Sequence, residues 1–227
     1  MDFDTNKRQI RSFVLRGGKM TTGQKKALDE LWPVYGIEDK QSLAFPEIFG
    51  NENPVWLDIG FGNGESTAFA AAQHPDVNLL GIEVHLPGIG HLLIRMHEQD
   101  LNNVRIMRDD AVDVLQTQIT DASLDAVHVY FPDPWHKKRH HKRRLLNADF
   151  ISLVISKLKS GGRLHIATDW EEYALEVQAL LIQFADLENT VSDNGFADRP
   201  AWRPETKFER RGQRLQHNSY DLILVKR

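Results

Sequence analysis

The densest chemistry in this 227-residue sequence lies in one stretch, FPDPWHKKRHHKRR, at residues 131–144. Asp133 stands between Pro132 and Pro134, with Phe131 and Trp135 outside them. Proline fixes φ and lowers the entropy cost of holding a neighbouring carboxylate in place. A carboxylate held in this way can accept from the N1–H and amino group of a guanine, or can hold an adenine amino group. Trp135 could stack on a base. Six Lys or Arg then fall within the eight residues 137–144. Next to a pocket, such a run can clamp phosphates. The plainer alternatives are a proline-rich turn with Trp135 in the core, followed by a solvated charged loop. A metal site on His136, His140 and His141 is opposed by the six neighbouring cations.

A second set of residues is spread along the chain. Asp58-Ile59-Gly60-Phe61-Gly62-Asn63-Gly64 has the spacing G-x-G-x-G, one residue shorter than a dinucleotide fingerprint. An acid two residues before the first glycine would repel a pyrophosphate and suit a cationic ligand. Glu83 follows at the distance that suits a carboxylate on ribose hydroxyls. Asp110 could accept from an adenine amino group. Together these acids describe a ligand with an ammonium, a ribose and an adenine but no phosphate; S-adenosylmethionine fits that description, and NAD and ATP fit it poorly. Each acid taken singly also reads as a surface cap.

The elements that must position these residues alternate between strand and helix. Strands are expected at 54–59, 77–84, 104–107, 124–131, 163–168 and 219–225. Helices are expected at 66–73, 91–99, 111–118, 149–158 and 171–184, with Asp149 capping the fourth and Gly161-Gly162 stopping it. Alternation of this kind means βαβ units and a mostly parallel sheet flanked by helices. Ligands bind such sheets beyond the carboxyl ends of the strands. Asp58, Glu83, Asp110 and Asp133 are each expected at such an end. Residues 1–53 precede most of this pattern and read as a basic N-terminal arm, with 54–227 as the domain proper.

Composition narrows the class. The length supports one core, and 41% hydrophobic with 26% charged residues is an ordinary globular balance. No apolar run approaches a membrane span. The absence of cysteine removes disulfides, thiolate metal sites and Cys nucleophiles. These features fit a cytoplasmic protein. The formal net charge of -4 conceals segregation: residues 7–26 hold seven Lys or Arg and no acid. Such local patches speak to partners.

Taken in order, WLDIGFGNGES, GIEVHLPGIGHLL, RDDA, FPDPWHKKRHHKRR, ATDWEEYA and RPETKFERRG resemble the bacterial tRNA (guanine-N7-)-methyltransferase family. RSFVLRGGKMTTGQKKALDELWPVYG is similar to its N-terminal arm. The resemblance runs from about Arg11 to the C-terminus. It implies a Rossmann-like class I methyltransferase fold with an antiparallel C-terminal strand. It implies methylation, from S-adenosylmethionine, of a guanine N7 in the variable loop of tRNA, with no membrane, no obligate protein subunit and a monomer or homodimer. It carries cofactor binding onto Asp58, Gly60, Gly62, Gly64, Glu83, Asp110 and Asp133. Asp133 is the expected catalytic residue, with Asp169 and Glu209 the alternatives for stabilising the charge that develops on the product base. Substrate contacts fall on Lys137, Asp169, Thr206, Lys207, Phe208 and Glu209. RNA contacts fall on Arg139, His140, His141, Lys142, Arg143 and Arg144, and no metal is implied. Asp58 stands where many relatives have Glu, and residues 215–221 depart from the family's Gly- and Trp-containing version. The rival readings are an adenine-N6 methyltransferase, an inactive RNA-binding module on the same fold, and an NAD oxidoreductase.

Overall fold

The computed structural model describes residues 11–14, 18–206, 209–210 and 218–227. Among these, eight strands form one sheet: β1 (Gly36–Ile37), β2 (Val55–Ile59), β3 (Asn78–Ile82), β4 (Val104–Met107), β5 (Leu124–Tyr130), β6 (Leu158–Thr168), β7 (Leu187–Asn189) and β8 (Tyr220–Lys226). Their order is β1-β4-β3-β2-β5-β6-β8-β7. Pairings from β1 through β6 are parallel, while β8 runs antiparallel to both β6 and β7. From β2 the chain winds outward to β3 and β4, then returns across β2 to β5. The order therefore reverses at β2 and β5, and a crevice opens beyond their carboxyl ends.

The central strands read as apolar runs because both faces of the sheet are covered. Adjacent residues of one strand feed opposite layers. Leu79 of β3 packs with Ala68 and Ala71 of α3 (Glu65–Gln73) and with Leu92, Leu93 and Met96 of α4 (Leu86–Glu98). Leu80 belongs to the other layer, with Val114 and Leu115 of α5 (Ala111–Thr117), Ile151 and Val154 of α6 (Ala148–Lys157), and Val177 of α7 (Glu171–Leu181). A one-residue slip in β3 would reverse this assignment.

The expected N-terminal arm is partly woven into this framework. Within it, α1 (Thr22–Tyr35) starts with a reciprocal cap: Thr21 Oγ1 accepts from Gln24 N at 3.2 Å, and Gln24 Oε1 accepts from Thr21 N at 2.7 Å. Gln24 Nε2 also donates to Pro87 O at 3.1 Å, fastening α1 to α4. β1 extends the sheet beside β4, and α2 (Phe45–Phe49) sends Phe45 into the core.

Several expected boundaries shift. α4 begins at Leu86 and not at His91, because Pro87 suits the first turn of a helix. Gly88 is helical as well; a Cβ there would collide with Gly62 O, so the glycine marks a close approach and not a loop. Asn147, not Asp149, caps α6, its Oδ1 accepting from Phe150 N at 3.1 Å. Gly161-Gly162 does not stop that helix. The chain passes from Lys157 directly into β6, where Leu158 already pairs with Leu124. β7 lies where no strand was expected; its three residues take order from pairing with β8.

Candidate active site

A cavity of about 790 Å³ occupies the crevice above β2 and β5. Asp58, Gly60, Gly62, Glu83, Asp110, Asp133, Lys137, His140 and Thr206 all line it, as do Asp109, Tyr130 and Trp135. The strand-end acids on β2, β3 and β4 therefore meet the proline-bounded turn after β5 in one space. The sheet order accounts for this: β2 pairs β3 on one side and β5 on the other.

On the first half of the cavity, the glycine loop leaves β2 with Gly60 at φ 69° and Gly62 at φ 59°. Side chains rarely adopt this backbone conformation. A Cβ at either position would meet nothing within 4 Å, so both glycines leave their space to the cavity. Gly64 does not line the cavity; it caps α3, and a Cβ there would press on Leu92 at 2.6 Å. Glu83 fixes the loop: Oε2 accepts from Gly62 N at 2.9 Å, and Oε1 accepts from Val84 N at 2.7 Å and His85 N at 2.9 Å.

Asp58 is 3% exposed, and Thr67 Oγ1 donates to its Oδ2 at 2.6 Å. Burial pushes the carboxyl up to about 6. The Thr67 hydrogen bond opposes that rise, and the nearby Glu83 charge adds to it. Asp110 caps α5, its Oδ1 accepting from Val112 N at 3.0 Å. Burial raises its carboxyl also. Arg11, from the N-terminal segment, stands 3.9 Å from Asp110 Oδ2.

The second half begins where Phe131 N donates to Ala167 O at 2.8 Å, pinning the start of the turn to β6. Phe131 at φ 52° and Trp135 at φ 48° bracket Pro132–Pro134. Bulky residues seldom adopt these angles, and such strain persists only where neighbours over-determine it. Asp133 is exposed between them. Trp135 is not in the core: it lines the cavity, its Nε1 donates to Ser12 O at 3.1 Å, and Arg143 lies 5.3 Å over its ring.

The basic run forms a 3₁₀ turn over Lys138–Arg143. Lys137, Lys138, Arg139 and Lys142 are exposed, while His140, His141 and Arg143 are half-buried. Arg144 departs from the expected RNA contact because its side chain is 2% exposed. Its Nε donates to Pro134 O at 2.8 Å, its Nη2 lies 3.1 Å from His141 Nε2 and 3.5 Å from Glu172, and its Nη1 pairs with Glu176. The last cation of the run thus faces inward and braces the turn. His141, Glu172 and Glu176 also form a cluster in metal-ligand range, but the Arg144 guanidinium already pairs with both carboxylates.

Asp169 follows the end of β6 half-buried and does not line the cavity. Thr206 and Glu209 make a reciprocal cap: Thr206 Oγ1 accepts from Glu209 N at 3.3 Å, and Glu209 Oε2 accepts from Thr206 N at 2.8 Å. Glu209 is 4% exposed, pairs with Arg203 Nη1 at 2.7 Å and does not line the cavity. The T-x-x-E spacing of a capping box could have disclosed this cap from sequence. Lys207 and Phe208 lie outside the described residues.

Comparison with known proteins gives this geometry a family. The family model described as "Putative methyltransferase" matches residues 52–222. A tRNA (guanine-N(7)-)-methyltransferase of Alcanivorax borkumensis is 50% identical over 221 residues, covering 97% of this chain and 92% of the relative. One from Methylobacillus flagellatus is 53% identical over 219 residues, covering 96% and 91%. Among solved structures, the 16S rRNA methyltransferase KamB superposes with a TM-score of 0.58 at 15% identity, covering 83% of this chain and 96% of its own, a likeness of fold alone. With half its residues shared along nearly the full length of these relatives, the chain belongs to the tRNA (guanine-N7-)-methyltransferase family, built on the class I methyltransferase fold.

Proposed function

We propose that this chain transfers a methyl group from S-adenosylmethionine to N7 of a guanine in the variable loop of tRNA. The observation that carries the reading is a shared cavity. Three strand-end acids line one half of it, and a strained, proline-bounded acidic turn lines the other together with Lys137, the first cation of the basic run. The donor set fits the cofactor. Asp58 offers a buried carboxylate, steadied by Thr67, to an ammonium. Glu83 Oε2 retains acceptor capacity for a ribose hydroxyl, and Gly60 and Gly62 leave a cradle that any Cβ would fill.

When bound, S-adenosylmethionine supplies a sulfonium methyl group. Guanine N7 supplies a lone pair at neutral pH, so no proton must leave and no general base is required. The C–N bond forms as the S–C bond breaks with its electrons remaining on sulfur, and the product base becomes cationic. The protein's task is alignment. Asp133 presents its carboxylate to the base, and Lys137 stands beside it. Arg139, Lys142 and Arg143, with His140 and His141 among them, provide phosphate contacts. N7 lies on the major-groove edge, so the base is presented from a loop. Residues 1–53 act as an arm on the catalytic unit 54–227, with Ser12, Phe13 and Val14 lining the cavity. A tRNA substrate is consistent with the cytoplasmic location proposed for the enzyme.

Incubation of the purified chain with labelled S-adenosylmethionine and unmodified tRNA tests this, with 7-methylguanine mapped by borohydride and aniline cleavage. Cleavage at a variable-loop guanine is expected. Methyl incorporation without cleavage would move the target to another base, with adenine N6 the next to examine. No incorporation would sink the reading.

A further inference from the structure

We infer that Arg203 is the positioning residue of the acceptor half of the site: it ties the segment carrying Thr206 and Glu209 to the base of the Pro132–Pro134 turn. Neither composition nor family resemblance gave Arg203 a role. Its side chain is 1% exposed, and a guanidinium buried so deeply is tolerated only when paired and hydrogen-bonded. Nε donates to Asp221 Oδ1 at 2.8 Å and Nη2 to Asp221 Oδ2 at 2.7 Å, a bidentate pair with β8. Nη1 lies 2.7 Å from Glu209 Oε2, the same oxygen that accepts from Thr206 N.

The network closes on itself beneath the turn. Asp221 Oδ1 lies 2.7 Å from His165 Nε2, and Tyr130 Oη lies 2.8 Å from His165 Nδ1. The Trp202 indole can only donate, and it lies 3.3 Å from the same Nδ1. Nδ1 is therefore the acceptor, and Nε2 carries the hydrogen toward Asp221. Burial, set against the Asp221 carboxylate, holds this imidazole below its ordinary range and hence neutral. The Arg203 guanidinium also sits 5.7 Å over the Tyr130 ring and 5.6 Å over the Phe131 ring. Tyr130, Phe131 and Thr206 all line the cavity, while none of Arg203, Asp221 and His165 does. Arg203 thus acts through other residues.

A buried ion pair of this kind is weak evidence for stability and better suited to fixing one arrangement. The cofactor half hangs on β2, β3 and β4, and its acids are held by partners outside this network. Disturbing Arg203 should therefore misplace the acceptor base and leave the cofactor in place. The assignment rests on the transferase reading. Its test is the full chain carrying Arg203→Lys, which keeps the charge and loses the bidentate fork. Cofactor dissociation constants come from calorimetry, and single-turnover methyl transfer is measured at saturating tRNA and cofactor. Cofactor affinity within about twofold of wild type and a rate loss of about ten- to hundredfold are expected. An unchanged rate, or cofactor affinity lost in step with the rate, would overturn the assignment. Should Arg203→Lys not fold, Asp221→Asn reads the same contact from its other end with the same expected pattern. Where both fold, the double variant should lose less than the product of the single losses, since both act on one unit; fully multiplicative losses would count against it. Wild type run alongside separates the claims. An inactive wild type overturns the transferase reading and this assignment with it, whereas an active wild type with an unimpaired Arg203→Lys overturns the assignment alone.

Discussion

The two halves of the cavity are built by different means. The cofactor half is mostly local: Glu83 reaches Val84 and His85 beside it and Gly62 across 21 positions, Asp110 caps its own helix, and Asp58 bonds Thr67 nine residues on. The acceptor half is assembled from afar. Trp135 bonds Ser12 across 123 positions, Arg144 reaches Glu176 across 32, and Arg203 joins β8 to the segment before it. A small ligand with fixed charges can be met by acids placed once at strand ends. A macromolecular acceptor must be oriented over a wider span, and here that orientation comes from long-range ion pairs and a strained turn.

The largest expected effect lies in the cofactor half, at Asp58. Asp58→Asn removes the buried partner of the ligand's ammonium, a loss of about 2–5 kcal/mol, so the cofactor Kd should rise by at least about 30-fold in calorimetry. The same change should stabilise the unliganded protein at neutral pH. The folded-state carboxyl titrates at about 6, above its ordinary 3.8. Protonation therefore favours the folded state. That contribution is fully present below about pH 4 and is lost as pH rises through 6, amounting to about 3 kcal/mol. Thermal unfolding at pH 7.5 should show the Asp58→Asn variant more stable than wild type by several degrees, with the gap closing toward pH 4. Wild-type cofactor affinity should also fall as pH drops below 6. An Asp58→Asn variant that binds the cofactor normally would remove the electrostatic account of this half.

Asp133→Asn probes the other half with a smaller effect. The residue is exposed, and the amide keeps one acceptor for the base. A loss of about 10- to 100-fold in kcat/KM with measurable activity remaining is expected if the residue positions the base. Complete loss with intact cofactor and tRNA binding would instead make its charge essential to the transfer.

The basic run divides into cations that face solvent and one that does not. Arg139→Ala and Lys142→Ala should each lower the slope of log Kd for tRNA against log salt by about 1. Arg144→Met should leave that slope unchanged and lower stability by about 1–3 kcal/mol, since its carboxylate partners are themselves partly exposed. Equal slopes for all three variants would mean that Arg144 turns outward on binding.

The same contrast decides what could be read from sequence. Glycine spacing, acids at strand ends and the alternation of strand and helix are local signals, and they identified Asp58, Glu83, Asp110 and a mostly parallel sheet. The helix expected at 91–99 starts five residues earlier, at Leu86, and Gly88 and Gly90 inside it answer to close packing against Gly62 and Gln24, which local spacing does not show. The inward turn of Arg144 was not legible, because nothing within the run separates it from Arg143; the difference lies on α7, at Glu172 and Glu176. Arg203 and Asp221 stand in stretches singled out for other reasons, with no role attached, and His165 gave no signal. Each is an ordinary residue in its own segment, and their meeting depends on β8 returning antiparallel beside β6.

Thr206 carries the smallest expected effect and the finest test of the contrast. Its hydroxyl accepts from Glu209 N, its backbone N–H donates to Glu209 Oε2, and it faces the cavity. Thr206→Val keeps shape and volume but removes the cap, at a cost of about 0.5–2 kcal/mol to the local turn. Glu209 remains held by Arg203, so the wall should stay in place and the rate should fall by no more than about tenfold. Thr206→Ser keeps the hydroxyl and should restore the rate. If Thr206→Val instead abolishes transfer while Thr206→Ser retains it, with cofactor affinity and thermal midpoint unchanged in both, the hydroxyl contacts the acceptor directly. The local cap would then carry the substrate contact that the long-range network was expected only to place.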